Sequence, residues 1–262
     1  MIPKHRTKPA IVWPGGKTRL LKEILPLIPA HECYVEPFAG GLAVLLAKGR
    51  SPFEVLNDLN GDLVNFYRCV RFHHDVLLTE IEFVLNSRQE FKDFKAQPGL
   101  TDIQRAARWF RRNKTCFGGQ MDSFGSGAGG GGALNSRSNR YEAIRALNLR
   151  LDRVCVENLD WSRCLELYDR PTTFFFLDSP YTDCDAGMYS TWTAVDVQKL
   201  RDRVMQLRGK WMVTLNDTGT IRAIFDGCEI RAVSRQRGIA NVGGDAGIYR
   251  EIIITPPGAS PA

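Results

Sequence analysis

The feature that most constrains this chain is an alternation of short apolar runs with helix-like stretches, broken once and then resumed. Cys33-Tyr34-Val35-Glu36-Pro37 reads as a strand ending in a turn, and Glu54-Val55-Leu56-Asn57-Asp58 as the next strand. Leu42 to Lys48 reads as a buried helix between them, and Leu63 to Arg71 as the helix that follows. Before them, the apolar run Ala10-Ile11-Val12-Trp13 is broken by Pro14-Gly15-Gly16, and Thr18 to Leu27 carries Leu20, Leu21, Ile24 and Leu25 on one helical side. The pattern returns with Val154-Cys155-Val156, Thr173 to Leu177, Lys210 to Leu215 and Arg250 to Ile254 as strands. Parallel neighbours need a crossover, so strands spaced by helices predict an α/β fold with a parallel sheet.

The interruption has a different character. His74 to Arg112 is mostly helical and charged, Phe117 to Leu134 is rich in glycine, and Tyr141 to Leu151 reads as a helix with Ile144, Leu147 and Leu151 on one face. So many glycines do not specify one backbone conformation. A chain of 262 residues suits one large domain with an insertion. The expected division is a catalytic domain over 1–72 and 151–262, with an insertion over 73–150.

Charge singles out the same region. Lys plus Arg number 35 against 29 Asp plus Glu, a net +6. Thr101 to Arg150 holds nine basic residues (Arg105, Arg108, Arg111, Arg112, Lys114, Arg137, Arg140, Arg145 and Arg150) and three acidic ones (Asp102, Asp122 and Glu142), so this stretch alone equals the net charge. Such a block fits either a polyanion partner or a solvated helical face. The seven cysteines stand singly with no CxxC pair, and the histidines are scattered. That argues against a disulfide framework and a metal site and for a reducing, cytoplasmic setting. The polar start, Met1 to Ala10, lacks the apolar stretch of a signal peptide, and no run is apolar enough to span a membrane.

Three loops carry the candidate chemistry. Gly15-Gly16-Lys17-Thr18 has the end of a phosphate loop, but Ile11 stands where that loop needs its first glycine. Glu36-Pro37-Phe38-Ala39-Gly40-Gly41 follows a strand and precedes a helix, where glycines let a ligand approach the backbone. Asp58 ends the next strand, the place of an acceptor for ribose hydroxyls, or else of a cap for the following helix. The GxGxxG fingerprint of dinucleotide-binding dehydrogenases is absent. Asp178-Ser179-Pro180-Tyr181 follows the apolar Phe174-Phe175-Phe176-Leu177. A carboxylate and a main-chain carbonyl there suit the two hydrogens of an aminopurine's amine, and the ring suits stacking, although the tetrapeptide alone also reads as a turn.

Taken in order, these motifs resemble the Dam-type DNA adenine N6-methyltransferases, whose pattern is W-x-G-G-K, E-P-F-x-G, an Asp after the next strand, N-x-x-x-F-N-G in a recognition insertion, a D-F-like pair and D-P-P-Y. Here they are Trp13-Pro14-Gly15-Gly16-Lys17, Glu36-Pro37-Phe38-Ala39-Gly40, Asn57-Asp58, Asn113 to Gly119, Asp160-Trp161 and Asp178-Ser179-Pro180-Tyr181. The resemblance runs from residue 11 to about 255. It implies a Rossmann-like sheet with a helical, glycine-containing DNA-recognition insertion, S-adenosylmethionine as cofactor and adenine N6 in double-stranded DNA as target, with no metal.

By the same resemblance Trp13, Gly16, Lys17, Glu36, Pro37, Phe38, Gly40, Asp58, Asp160 and Trp161 contact the cofactor, with Lys17 balancing its carboxylate. Asp178, Ser179, Pro180 and Tyr181 hold the flipped base. Arg111, Arg112, Asn113, Lys114, Arg137 and Arg140 bind DNA, mainly at phosphates, and Arg235 to Gly247 is a second candidate loop for groove contacts. Three departures stand out: Ser179 replaces the first proline of D-P-P-Y, Leu42 stands where many relatives have glycine, and Gly118-Gly119-Gln120-Met121 lacks the family's asparagine and the arginine of GATC-reading members. The first leaves open a catalytically weak DNA-binding protein, and related loops also serve RNA and protein-amide methyltransferases.

Overall fold

A computed structural model of the chain describes residues 7–82, 87–116, 119, 121–125, 137–182, 192–236 and 248–258. Most of the glycine-rich segment and of the 235–247 loop lies outside these. Among the described residues seven strands form one sheet: β1 Cys33–Glu36, β2 Phe53–Asn57, β3 Val154–Glu157, β4 Thr173–Asp178, β5 Lys210–Asn216, β6 Glu229–Gln236 and β7 Ile248–Thr255. Their order is β3-β2-β1-β4-β5-β7-β6. β4 runs parallel to β1 and to β5, and β7 is antiparallel to β5 and β6. The order β3-β2-β1-β4-β5 is that of doubly wound nucleotide-binding sheets, whose ligands sit beyond the carboxyl ends of the strands where the order reverses. Here the reversal lies between β1 and β4. The expected Rossmann-like α/β class is the one this chain forms. β4 is buried at every residue but the last, which explains a continuous rather than alternating apolar run.

The helices are α1 Leu21–Ile24, α2 Ala43–Ala47, α3 Gly61–Phe72, α4 His74–Glu82, α5 Arg88–Ala96, α6 Asp102–Thr115, α7 Arg137–Arg150, α8 Trp161–Tyr168, α9 Ala194–Val204 and α10 Gly219–Ile224. The single helix expected over 18–27 is instead α1 between two 3₁₀ turns, Lys17–Leu20 and Leu25–Leu27. Pro26 lies in the second turn and lacks the N–H that an α-helix needs there.

The chain forms two compact units: one of 1–16, 39–49 and 56–160, the other of 17–38, 50–55 and 161–262. The helices α4 to α7 share the first unit with α2 and α3. Its core centres on α6, which packs on α3, α4 and α5. The rings of Phe66 and Phe110 stack with centroids 5.3 Å apart and 3° between planes, and Trp109 lies 5.4 Å from Phe66. In the second unit the buried core runs through Phe174 to Leu177, Met212, Val213 and Ile252 to Ile254.

The run Ala10–Trp13 forms no strand. Its backbone finds a side chain instead: the Val12 N–H donates to Asn113 Oδ1 at 2.9 Å, and Asn113 Nδ2 donates to the Val12 carbonyl at 2.7 Å. Asn113 is fully buried and imitates the neighbour a strand would have had. Replacing Asn113 by Leu keeps the volume and deletes both bonds. At roughly 1 kcal/mol net for each bond, it is expected to cost about 2 kcal/mol. Urea unfolding checks this as a lower midpoint at constant m, and an unchanged midpoint would show that the clamp contributes nothing.

Candidate active site

In the first unit, Trp13 and Gly40 shape the loop after β1. The Gly16 N–H donates to the Trp13 carbonyl at 3.1 Å, closing a turn in which Gly15 has φ +75°. Gly40 has φ +43°, and a Cβ there would come within 2.6 Å of Trp13 Nε1. The tryptophan ring therefore leaves room only for glycine. Leu42 is left-handed as well, at φ 56°, a conformation that costs a branched residue about 1–2 kcal/mol. Its side chain is 1% exposed, and this burial holds it in a geometry that glycine would adopt freely.

Asp58, just past β2, is 3% exposed. Its Oδ2 accepts the Gly40 N–H at 3.0 Å and its Oδ1 the Asn60 N–H at 2.9 Å. Burial lifts its carboxyl above the usual range, against these backbone donors. It does not cap α3. Asn60 does, accepting from the N–H groups of Asp62 and Leu63. Asn57 ties this edge to the end of β3: it donates to the Leu159 carbonyl at 3.1 Å and accepts the Leu159 N–H at 2.8 Å. Asp160 follows, exposed.

In the second unit, the exits of β1 and β4 carry the rest. Glu36 is 2% exposed and accepts the Tyr34 hydroxyl at 2.7 Å. Phe38 stacks on Trp161 at 6.3 Å between centroids and meets Trp192 edge-on at 5.5 Å. Asp178 ends β4, and its Oδ1 accepts the Thr214 hydroxyl at 2.8 Å. The ammonium of Lys17, itself 2% exposed, lies 2.6 Å from that oxygen and 3.6 Å from Oε2 of Glu251. The same Oε2 accepts the Tyr181 hydroxyl at 2.7 Å, and the ammonium sits 5.0 Å from the centre of the Tyr181 ring. Burial lifts the Asp178 carboxyl above its usual range and Glu251 adds to the rise, while Lys17 and Thr214 pull it down. Lys17, expected at the cofactor's carboxylate, is thus already engaged with two carboxylates of the chain.

Sequence reading missed Glu251 and Thr214. The available signal was one acidic residue opening an isoleucine run in a strand, where packing alone would call for another apolar side chain. Ser179 is 2% exposed, and its hydroxyl has no hydrogen-bond partner among the described residues. A buried unpaired hydroxyl costs about 1–3 kcal/mol, which a proline at this position would avoid.

The candidate DNA residues divide. Arg111 and Arg140 are 4% and 7% exposed, and Asn113 clamps Val12, so these three serve the interior of the first unit. Arg112 is half-buried; its Nη2 donates to the Met121 carbonyl at 3.0 Å. Lys114 is half-buried, and desolvation lowers its ammonium to about 8. Arg137 begins α7, and its side chain lies outside the described residues. Among the described residues no group of three or more His, Cys, Asp or Glu is placed to hold a metal, and no helix is long and apolar enough to cross a membrane.

If Lys17 sets the ionisation of Asp178, then Lys17→Met removes the strongest influence lowering it and its pKa rises further. A ¹³C NMR titration of the aspartate carboxyls reads this directly. A titration that stays in place would show that the ion pair does not govern the carboxylate.

The model of the D12 class N6 adenine-specific DNA methyltransferases matches residues 13–239. The Type II methyltransferase M.CviBI of Paramecium bursaria Chlorella virus NC1A is 27% identical over 234 residues, 84% of this chain and 87% of that protein. The retron Ec67 DNA adenine methylase of Escherichia coli is 24% identical over 260 residues, covering 92% and 88%. The DNA adenine methylase of Serratia marcescens is 37% identical over a shorter stretch of 81 residues, 31% of this chain and 27% of that one. The chain belongs to the D12 class N6 adenine-specific DNA methyltransferase family and is by that class an enzyme that methylates adenine in DNA.

Proposed function

We propose that the methyl donor is S-adenosylmethionine, that the acceptor is the N6 amine of an adenine flipped out of double-stranded DNA, and that the protein works in the cytoplasm on that DNA. The observation that carries this reading is the half-buried Asp178 at the end of β4, beside the reversal point of the sheet, followed directly by Ser179-Pro180-Tyr181. The donor set suits the cofactor's chemistry. Asp58 supplies a carboxylate for ribose hydroxyls, Phe38 and Trp161 supply ring faces for the adenine, and Asp160 supplies an exposed acceptor. Trp13, Gly16, Glu36, Pro37 and Gly40 shape the backbone that receives it.

When bound, S-adenosylmethionine supplies an electrophilic methyl group on a positively charged sulfur. The target nitrogen is a weak nucleophile because its lone pair is delocalised into the purine. The Asp178 carboxylate and the Ser179 carbonyl would accept its two hydrogens, favouring a pyramidal nitrogen and strengthening as positive charge builds on it. Tyr181 would stack on the base, repaying part of the unstacking cost. As the nitrogen gains the methyl it loses one proton, first shared with its acceptors and then passed to solvent.

The roles separate by mutation. Asp58→Ala is expected to weaken S-adenosylmethionine binding in calorimetry while Asp178→Ala leaves most of it. Single-turnover methylation of one adenine-containing duplex is expected to fall at least about 100-fold in Asp178→Ala. Full activity in that variant would sink the catalytic assignment, and equal losses of binding in both would contradict the division.

Phosphate contact falls to the basic residues that reach the surface, Lys114 and Arg112 among them. Each phosphate neutralised contributes about −0.9 to the slope of log affinity against log salt. Lys114 with its ammonium near 8 is charged below that pH and neutral above it. Lys114→Met is therefore expected to flatten the salt slope by roughly one unit at pH 6.5 and to change nothing at pH 9.5. An equal effect at both would exclude the contact.

A further inference from the structure

We propose that Glu251 is a positioning residue for methyl transfer: its carboxylate fixes the Tyr181 hydroxyl and the Lys17 ammonium, so that the aromatic ring and the Asp178 carboxylate meet the target base in one arrangement. The inference rests on the reading of Asp178 and Tyr181 given above. Glu251 is 1% exposed in a strand whose next three residues, Ile252 to Ile254, are buried and apolar. A second carboxylate buried near Asp178 is unfavourable by desolvation and by like charge. It is compensated through two contacts on one oxygen: 2.7 Å from the Tyr181 hydroxyl and 3.6 Å from the Lys17 ammonium. The ammonium reaches Asp178 at 2.6 Å and lies over the Tyr181 ring at 5.0 Å. Tyr181 is thereby held at its hydroxyl and at one ring face, and Lys17 is shared between two carboxylates. Glu251 acts through those two side chains and not by touching the base.

The strand register explains how it gets there. β7 is antiparallel to β5, with Glu251 opposite Asn216, the last residue of β5. Glu251 thus lies level with the carboxyl end of β5, and Thr214 on β5 pairs with Asp178 in the neighbouring register.

The test uses the full chain with Glu251→Gln, Glu251→Ala and Tyr181→Phe. Gln keeps the size and an acceptor for the phenol but loses the charge; Ala loses both. A charge-assisted bond is about twice as strong as a neutral one, so single-turnover kcat is expected to fall about tenfold in Glu251→Gln, with KM for DNA little changed. The acid limb of its pH–kcat profile is expected to move to lower pH, because Glu251 no longer raises Asp178. Glu251→Ala is expected to fall further, and Tyr181→Phe to match Glu251→Gln in rate without the move of the acid limb. Wild-type kcat and an unmoved acid limb in Glu251→Gln would overturn the proposal. A ¹⁹F spectrum of 3-fluorotyrosine at position 181 is read alongside, independent of turnover. A resonance shifted in Glu251→Ala and largely restored in Glu251→Gln supports the anchor, and identical spectra in all three proteins overturn it. Failure of the wild type itself to methylate DNA would sink the functional reading while the fluorine signal still judged Glu251.

Discussion

One buried ammonium makes possible the edge where Asp178 and Glu251 lie together. Glu251 is withdrawn from water and Asp178 is half-buried beside it, and taking a carboxylate out of water costs several kcal/mol unless it is paired. Lys17 lies within ion-pair distance of both. Thr214 adds a hydroxyl to Asp178 and Tyr181 adds one to Glu251, so each carboxylate has a cation and a neutral donor. Desolvation still wins at Asp178, whose carboxyl is lifted despite these partners. A lifted carboxylate is a stronger proton acceptor, which suits the role proposed for Asp178 toward a weakly nucleophilic amine.

The first unit stores its tension elsewhere. Gly40 and Leu42 both have positive φ within three residues. The first is imposed by Trp13, whose ring occupies the space of a Cβ. The second is held by burial of the leucine side chain. Strained backbone persists only where surrounding contacts over-determine it. Here those contacts include the Gly40 N–H on Asp58 and the Tyr67 hydroxyl on the Gly40 carbonyl. Asp58 thus has a structural task before any ligand arrives, and a carboxylate so fixed is preorganised for one.

Much of the fold was legible because its parallel strands are short apolar runs ended by punctuating residues. Cys33 to Glu36, Thr173 to Leu177 and Lys210 to Leu215 all form strands within a residue of where the pattern puts them. The apolar run at Ala10 to Trp13 shows the limit, since its pairing partner is a side chain 101 positions away that no local pattern announces. The basic block shows another. Charge counting treats all cations of Thr101 to Arg150 alike, yet Arg150 donates to the Leu45 carbonyl inside the first unit, and Arg111 and Arg140 are buried as well. Burial on an amphipathic helix depends on which neighbours cover it, and those neighbours come from distant sequence.

Three of the candidate acidic residues read from sequence share one address: they stand at or just past the end of a strand, and α/β sheets place ligands at the carboxyl ends of their parallel strands. Asp58, Asp160 and the Asp178 tetrapeptide all obey it. Glu251 obeys the same spatial rule by the opposite sequence rule. In an antiparallel strand it is the beginning, not the end, that reaches this edge, and Glu251 lies in the first half of β7. A search confined to residues after strands passes over it. The antiparallel strand therefore does more than extend the sheet, since its reversed direction brings a carboxylate from near the end of the described chain to the edge where β4 delivers Asp178.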